Sequence, residues 1–261
     1  MINIIRSELK RLAGSKAFYI TLAVSLLLAF NMADLKNGHI LDFDLSGTFG
    51  MFAGYYGLIA APMTALFAGR EFSDGTVRNK LICGRSRAEV YIAETVVCSL
   101  AAIVIQTSVF AMSLIYCKFN GIVLIVSVWE MIKIAAVGYI AVITYTVIFV
   151  MAVMLICDKT SSVVWSEVMA VLLMLAGGFA IDKKYSDKWR NNKAILLMND
   201  IIPFSQTAEV AVEHEMTGSE ECIEITFDAS DNAVRCMVYG SLTIFLTTAA
   251  GIYFFRKKTL K

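Results

Sequence analysis

The sequence predicts an all-α polytopic membrane protein with six transmembrane helices. Three observations carry this. First, 58% of the 261 residues are hydrophobic, only 17% are charged, and the mean hydropathy is +0.68; soluble domains run at about 45–50% apolar and 25% charged. Second, the apolar residues gather into runs without charge at 17–33, 45–69, 95–117, 134–157, 160–181 and 236–255, the fifth broken only by Glu167. A helix of about 20 apolar residues crosses about 30 Å of hydrocarbon, so each run is sized for one span. Third, the connections differ in Lys and Arg. One side collects 14 of them and the other 7, which places both termini in the cytoplasm of a multi-pass cell-membrane protein. The near balance of 23 basic and 22 acidic side chains argues against a nucleic-acid partner.

In chain order, residues 1–15 predict an amphipathic interfacial helix. Ile2, Ile5, Leu9 and Leu12 fall near one face, with Arg6, Lys10 and Arg11 elsewhere. A basic start before an apolar run resembles a signal peptide, but a small-residue cleavage site is lacking, so the run reads as an uncleaved first span. Residues 16–181 hold spans one to five. The first is short and borrows Lys16 by snorkelling. The second carries glycines at 47, 50, 54 and 57, a small-residue stripe for close helix packing, here or at a subunit contact, and Pro62 should kink it. Residues 119–129 are apolar but short and read as interfacial. Residues 182–234 form a small extracellular loop domain. Its first part is basic, with Tyr185 and Trp189 suited to the headgroup level. Residues 194–204 predict a short helix broken at Pro203, residues 207–216 a second helix, and residues 222–227 a short strand. Residues 235–261 hold the sixth span and a basic cytoplasmic tail.

Few residues offer chemistry. No GxxxxGKS or GxxxxGKT phosphate loop is present, so ATP hydrolysis by that route is excluded. There is no GxSxG, no HExxH and no C-x-x-C; the six cysteines read as small packing residues. No cofactor and no metal is expected in this chain. His214, between Glu213 and Glu215, reads as solvated. Residues 194–234 contain nine acids and no Lys or Arg. Among these, Glu213, Glu215, Glu220 and Glu221 are either a solvated face or a patch that collects a cationic substrate. Glu167 is an intramembrane carboxylate, either a functional polar site or a group hydrated and paired near the boundary.

The most informative stretch is the connection between spans two and three, residues 67–94. Asp74-Gly75 signals a turn. Residues 76–82 make about two helical turns ending at Gly84, and Ser86 with Glu89 forms a capping box for the next helix. The result is a short helix held across the cytoplasmic mouth.

Glu71-Phe72, Gly75-Thr76 and Gly84-Arg85-Ser86-Arg87 resemble the E-F-x-x-G-T…G-x-S-R pattern of ABC type-2 transporter permeases. The six-span layout is similar too, as is the stretch Asn199 to Gln206 with Pro203-Phe204. The resemblance implies a coupling helix within residues 71–87 that contacts a separate ATPase. Glu71, Phe72, Gly75, Thr76, Val77, Arg78, Leu81, Ile82 and Arg87 would carry that coupling. Glu71 would stabilise the connection and Arg87 would anchor span three. The expected docking face is Val77, Leu81 and Ile82, with Arg78 and Lys80 at its rim.

The resemblance also implies partners: two copies of an ABC ATPase that bind ATP and Mg, a second permease copy or a sibling, and the bilayer. The substrate would be an amphipathic or antimicrobial peptide exported from the cell or membrane. The competing expectations are a proton-coupled secondary transporter working through Glu167 and a non-transporting membrane sensor or anchor.

Overall fold

The computed structural model describes residues 1–37, 45–119, 128–186, 189, 192–210 and 229–258, with the side chains of 32–37, 45–51, 229–232 and a few single positions left aside. Every regular element among the described residues is a helix. The segments Phe52–Ser73, Arg87–Tyr116, Met131–Ile156, Lys159–Lys184 and Ala233–Lys257 are long and apolar enough to cross a membrane. A sixth span follows if the bent pair Ile2–Ala13 and Lys16–Asn31 is counted as one.

Helix α1 (Ile2–Ala13) meets α2 (Lys16–Asn37) at 62° across Gly14 and Ser15. The inward row of α1 is Ile4, Glu8 and Leu12, each four residues apart, so they stack on one face. The expected apolar face is therefore rotated: Leu12 is buried, but Ile2 is 80% exposed and Leu9 is exposed as well. The structural reason is Arg11, which does not face solvent but enters the bundle beside Glu8.

The bundle is organised around α3 (Leu45–Ser73) and α6 (Val128–Ile156). Helices α2, α5 (Arg87–Phe119) and α7 (Lys159–Tyr185) flank α3, while α10 (Ala229–Lys257) lies along α6 and α5. Lipid gives no hydrophobic incentive for helices to associate, so close backbone approach carries the packing. Gly57 shows it: a Cβ there would stand 2.7 Å from the Tyr145 ring. One turn earlier Tyr145 Oη donates to Gly54 O at 3.1 Å. These two members of the glycine stripe thus pack within the chain; Gly47 and Gly50 lie among the side chains left aside. Helix α3 continues through Pro62 as one element. Outward, α7 and α10 present Leu172, Leu175, Phe245 and Leu246, as lipid-facing helices do.

The two ends of the bundle differ. At one end α4 (Thr76–Ile82) joins α3 to α5, and both described termini lie beside it. Arg87 donates to the carbonyls of Phe255, Arg256 and Lys258 at the close of α10. Lys258 Nζ reaches Leu155 O, near the end of α6, at 2.6 Å. At the other end α8 (Lys193–Ile201) and α9 (Pro203–Val210) break at Ile202–Pro203, as the proline predicts. Asn192 caps α8 through the Ala194 amide. Helix α9 packs among α3, α6 and α7. Gln206 donates to Asp200 O at 2.5 Å, and Arg235 stands 3.0 Å from Asp200. Helix α10 begins at Ala229, ahead of the expected boundary at 235. Residues 120–127, most of 207–216 and all of 222–227 lie outside the described residues, and with them the expected strand.

Candidate functional site

The site is built by the sharp exit from α3. Asp74 closes the last turn, and Gly75 adopts φ +68°, a left-handed conformation that only glycine enters without steric cost. Thr76 Oγ1 then donates back to Glu71 O at 3.1 Å. Helix α4 runs for seven residues and stops at Gly84, φ +81°, with the Arg85 amide closing onto Lys80 O. Ser86 and Glu89 form the capping box of α5 in both directions, at 3.0 and 3.2 Å. Gly75, Thr76, Gly84, Ser86 and Glu89 thus each have a geometric task in this connection. Phe72 belongs to the same fastening, edge-on to Phe255 of α10 at 6.5 Å, and Arg87 holds the carbonyl end of α10.

Beneath α4 lies a buried ion cluster drawn from four helices. Glu8 and Arg11 come from α1, Glu71 from α3, Lys80 from α4 and Glu94 from α5. Arg11 contacts Glu71 at 2.6 Å and both Glu8 and Glu94 at 2.7 Å. Lys80 contacts Glu71, meets Glu8 at 2.5 Å, and stands 3.9 Å from Glu94. All three carboxylates are buried, and the Arg11 guanidinium also lies over the Phe67 ring at 4.2 Å. Burial alone would lower the pKa of Lys80, but Glu71 and Glu8 outweigh it and hold the ammonium above its ordinary value.

Charge counting makes the cluster directional: three carboxylates face two cations. The carboxylate oxygens of Glu8, Glu71 and Glu94 fall within 4.8 Å of one another, a spacing that a divalent ion could use. Lys80 and Arg11 already stand between them at hydrogen-bond distance, so the charge that a metal would supply is in place. The arrangement fastens α4 to α1, α3 and α5 at one point.

The structure divides the expected docking residues. Val77 is buried in the core and Leu81 packs against it. Lys80 is in the ion cluster rather than at a rim, because its chain turns inward to the carboxylates. The outward face is Arg78, Asn79, Ile82 and Cys83, with Ile82 76% exposed. Glu8, Arg11 and Glu94 were not expected. A signal existed: Glu8 sits in an i, i+4 row with Ile4 and Leu12, and Glu94 abuts a charge-free run with no basic neighbour in sequence.

Glu167 stands apart from this cluster. It is half-buried on α7, with no hydrogen bond or ion pair among the described residues, and Val164, Trp165 and Val168 beside it are exposed. Glu213, Glu215, Glu220 and Glu221 lie outside the described residues, as does His214. Comparison with protein-family models and with curated proteins gives no match.

Proposed function

We propose that this chain is the membrane-spanning permease subunit of an ATP-driven exporter of the ABC type-2 kind. The observation that carries the reading is α4: a short helix fastened from within to three other helices, with an outward face left uncovered. A rigid element of this kind transmits a push to the spans, whereas a loose connection would absorb it. ATP and Mg would be handled by a separate ATPase, two copies serving two permease subunits. The α4 end, with both termini, would be cytoplasmic, in line with its excess of Lys and Arg. Amphipathic peptides are the proposed cargo.

Docking would centre on Ile82, since apolar anchors dominate such contacts and charges around them contribute less. The test is co-purification with a Walker-type ATPase encoded by the adjacent reading frame. Ile82→Asp should release the ATPase while the permease stays folded, and Arg78→Ala should only reduce yield. Transport by the purified chain with no ATPase, or full binding by Ile82→Asp, would overturn the assignment.

A second reading, a proton-coupled carrier, draws support from the excess carboxylate of the cluster rather than from Glu167. It requires substrate flux in ATP-free vesicles under a pH gradient, abolished by Glu94→Gln; no such flux eliminates it.

A further inference from the structure

A cavity of about 300 Å³ opens between the amino end of α2, the last turns of α3 and the first residue of α7. Its walls carry Arg11, Lys16, Arg70 and Lys159, with Ser15 and Phe67, and no acidic side chain lines it among the described residues. Arg11 is matched by the three buried carboxylates. Arg70 has only a 3.9 Å approach to Asp74. Lys16 and Lys159 make no ion pair or hydrogen bond among the described residues. Lys16 and Lys159 thus converge on one space without a carboxylate partner among the described residues, and the loosely paired Arg70 joins them.

The backbone adds to this field. Helix α2 starts at the cavity, so its positive end faces it, whereas the amino end of α7 is capped by Asp158, which accepts from the Ser161 amide at 2.7 Å. The juxtaposition is built by Gly69, where a Cβ would stand 3.2 Å from Lys159 Cα; this lets the start of α7 press against α3. On the membrane side the rim is apolar: Leu66 lines the cavity, and Tyr19 and Ile20 are exposed on the adjoining turn of α2.

We propose that this cavity binds the phosphate group of an anionic phospholipid, with the acyl chains against Tyr19, Ile20 and Leu66. Converging cations and the amino end of α2 select a phosphate, and basic pockets between membrane helices are suited to lipid headgroups. The adjoining apolar wall favours a lipid over free phosphate, which has no use for it. The inference stands independently of the transported substrate and of the ATPase.

The experiment uses the full chain purified in detergent and compares thermal stabilisation and native-mass-spectrometry adducts. The probes are phosphatidylglycerol, phosphatidylcholine and inorganic phosphate. The wild-type protein should retain phosphatidylglycerol in preference to phosphatidylcholine. Lys16→Ala with Lys159→Ala should weaken that retention by roughly thirtyfold, the loss of two surface cations. Lys183→Ala with Lys193→Ala, at the opposite end, should change it little. Stabilisation by inorganic phosphate equal to that by phosphatidylglycerol would keep the phosphate site and overturn its lipid source. Wild-type protein with no preference between the two lipids and no response to phosphate would overturn the proposal without recourse to any variant. Equal losses from the two double variants would overturn it as well, since the preference would then be general surface charge.

Discussion

Lys80 offers the sharpest test of the ion cluster. Lys80→Met keeps the length of the side chain and its inward packing but deletes the ammonium that contacts Glu71 and Glu8. Three buried carboxylates then face Arg11 alone. Breaking a buried ion pair from one side costs about 3–5 kcal/mol. The low end, ~3 kcal/mol, applies, because Arg11 remains and Lys80 itself is 19% exposed. For a chain of this size that corresponds to a fall in Tm of roughly 6–12 °C. Scanning fluorimetry of the detergent-purified protein at pH 7 measures it. Adding Glu71→Gln to Lys80→Met removes one orphaned charge and should recover part of the loss, a coupling of about 0.5–3 kcal/mol. Arg78→Ala, on the outward face of the same helix, should stay within about 0.5 kcal/mol of wild type. A Lys80→Met protein melting within about 2 °C of wild type would refute the reasoning, given the roughly 3 kcal/mol at stake.

Three further outcomes are expected. Stability should fall at alkaline pH: the folded-state pKa of Lys80 is raised, so its contribution is intact below the unfolded value of about 10.4 and is lost as pH climbs through the folded one. Melting curves should show no Lys80-dependent slope up to about pH 10, then a fall beyond about 10.4 in wild type that is smaller in Lys80→Met. Gly75→Ala should cost about 1–2 kcal/mol, read as a lower Tm, from the left-handed backbone alone, since nothing lies within 4 Å of a new Cβ. Gly57→Ala should cost about 1–3 kcal/mol by overpacking against Tyr145, and Tyr145→Leu, tested together with it, should restore part of the Tm.

The spans and the connection were legible because they rest on local signals. Charge-free runs mark the spans, and Gly75, Gly84 and the Ser86–Glu89 box punctuate α4 and α5 within a few residues of sequence. The break at Pro203 was readable for the same reason. The cluster was not, because its contacting pairs are up to 83 residues apart and each member looks alone like the polar flank of a membrane helix. Lys80 misled for a related cause: on a two-turn helix, an amphipathic pattern does not say which face the rest of the chain will cover. The face of α1 failed likewise, since counting Arg11 as outward ignores partners supplied by α3 and α5.

The same cluster explains why a costly arrangement sits at this place. Well-packed apolar side chains often match or exceed a buried ion network in stability. What an apolar plug lacks is orientation: it tolerates sliding and rotation, while a guanidinium with three carboxylate partners does not. Arg11 meets Glu8, Glu71 and Glu94 within 2.6–2.7 Å, and Lys80 completes the set from α4. A displacement of α4 therefore moves α3 and α5 with it or breaks charge-assisted bonds in a buried site. The tie extends to α10 through Arg87, and the end of α10 reaches α6 through Lys258. Six helices, α1, α3, α4, α5, α6 and α10, are thus linked by polar contacts at the α4 end, and between α3 and α6 the packing of Gly57 on Tyr145 is joined by the Tyr145–Gly54 hydrogen bond. The charge-assisted links at that end therefore resist rotation and sliding of α4 against its neighbours in a way that apolar contacts alone would not.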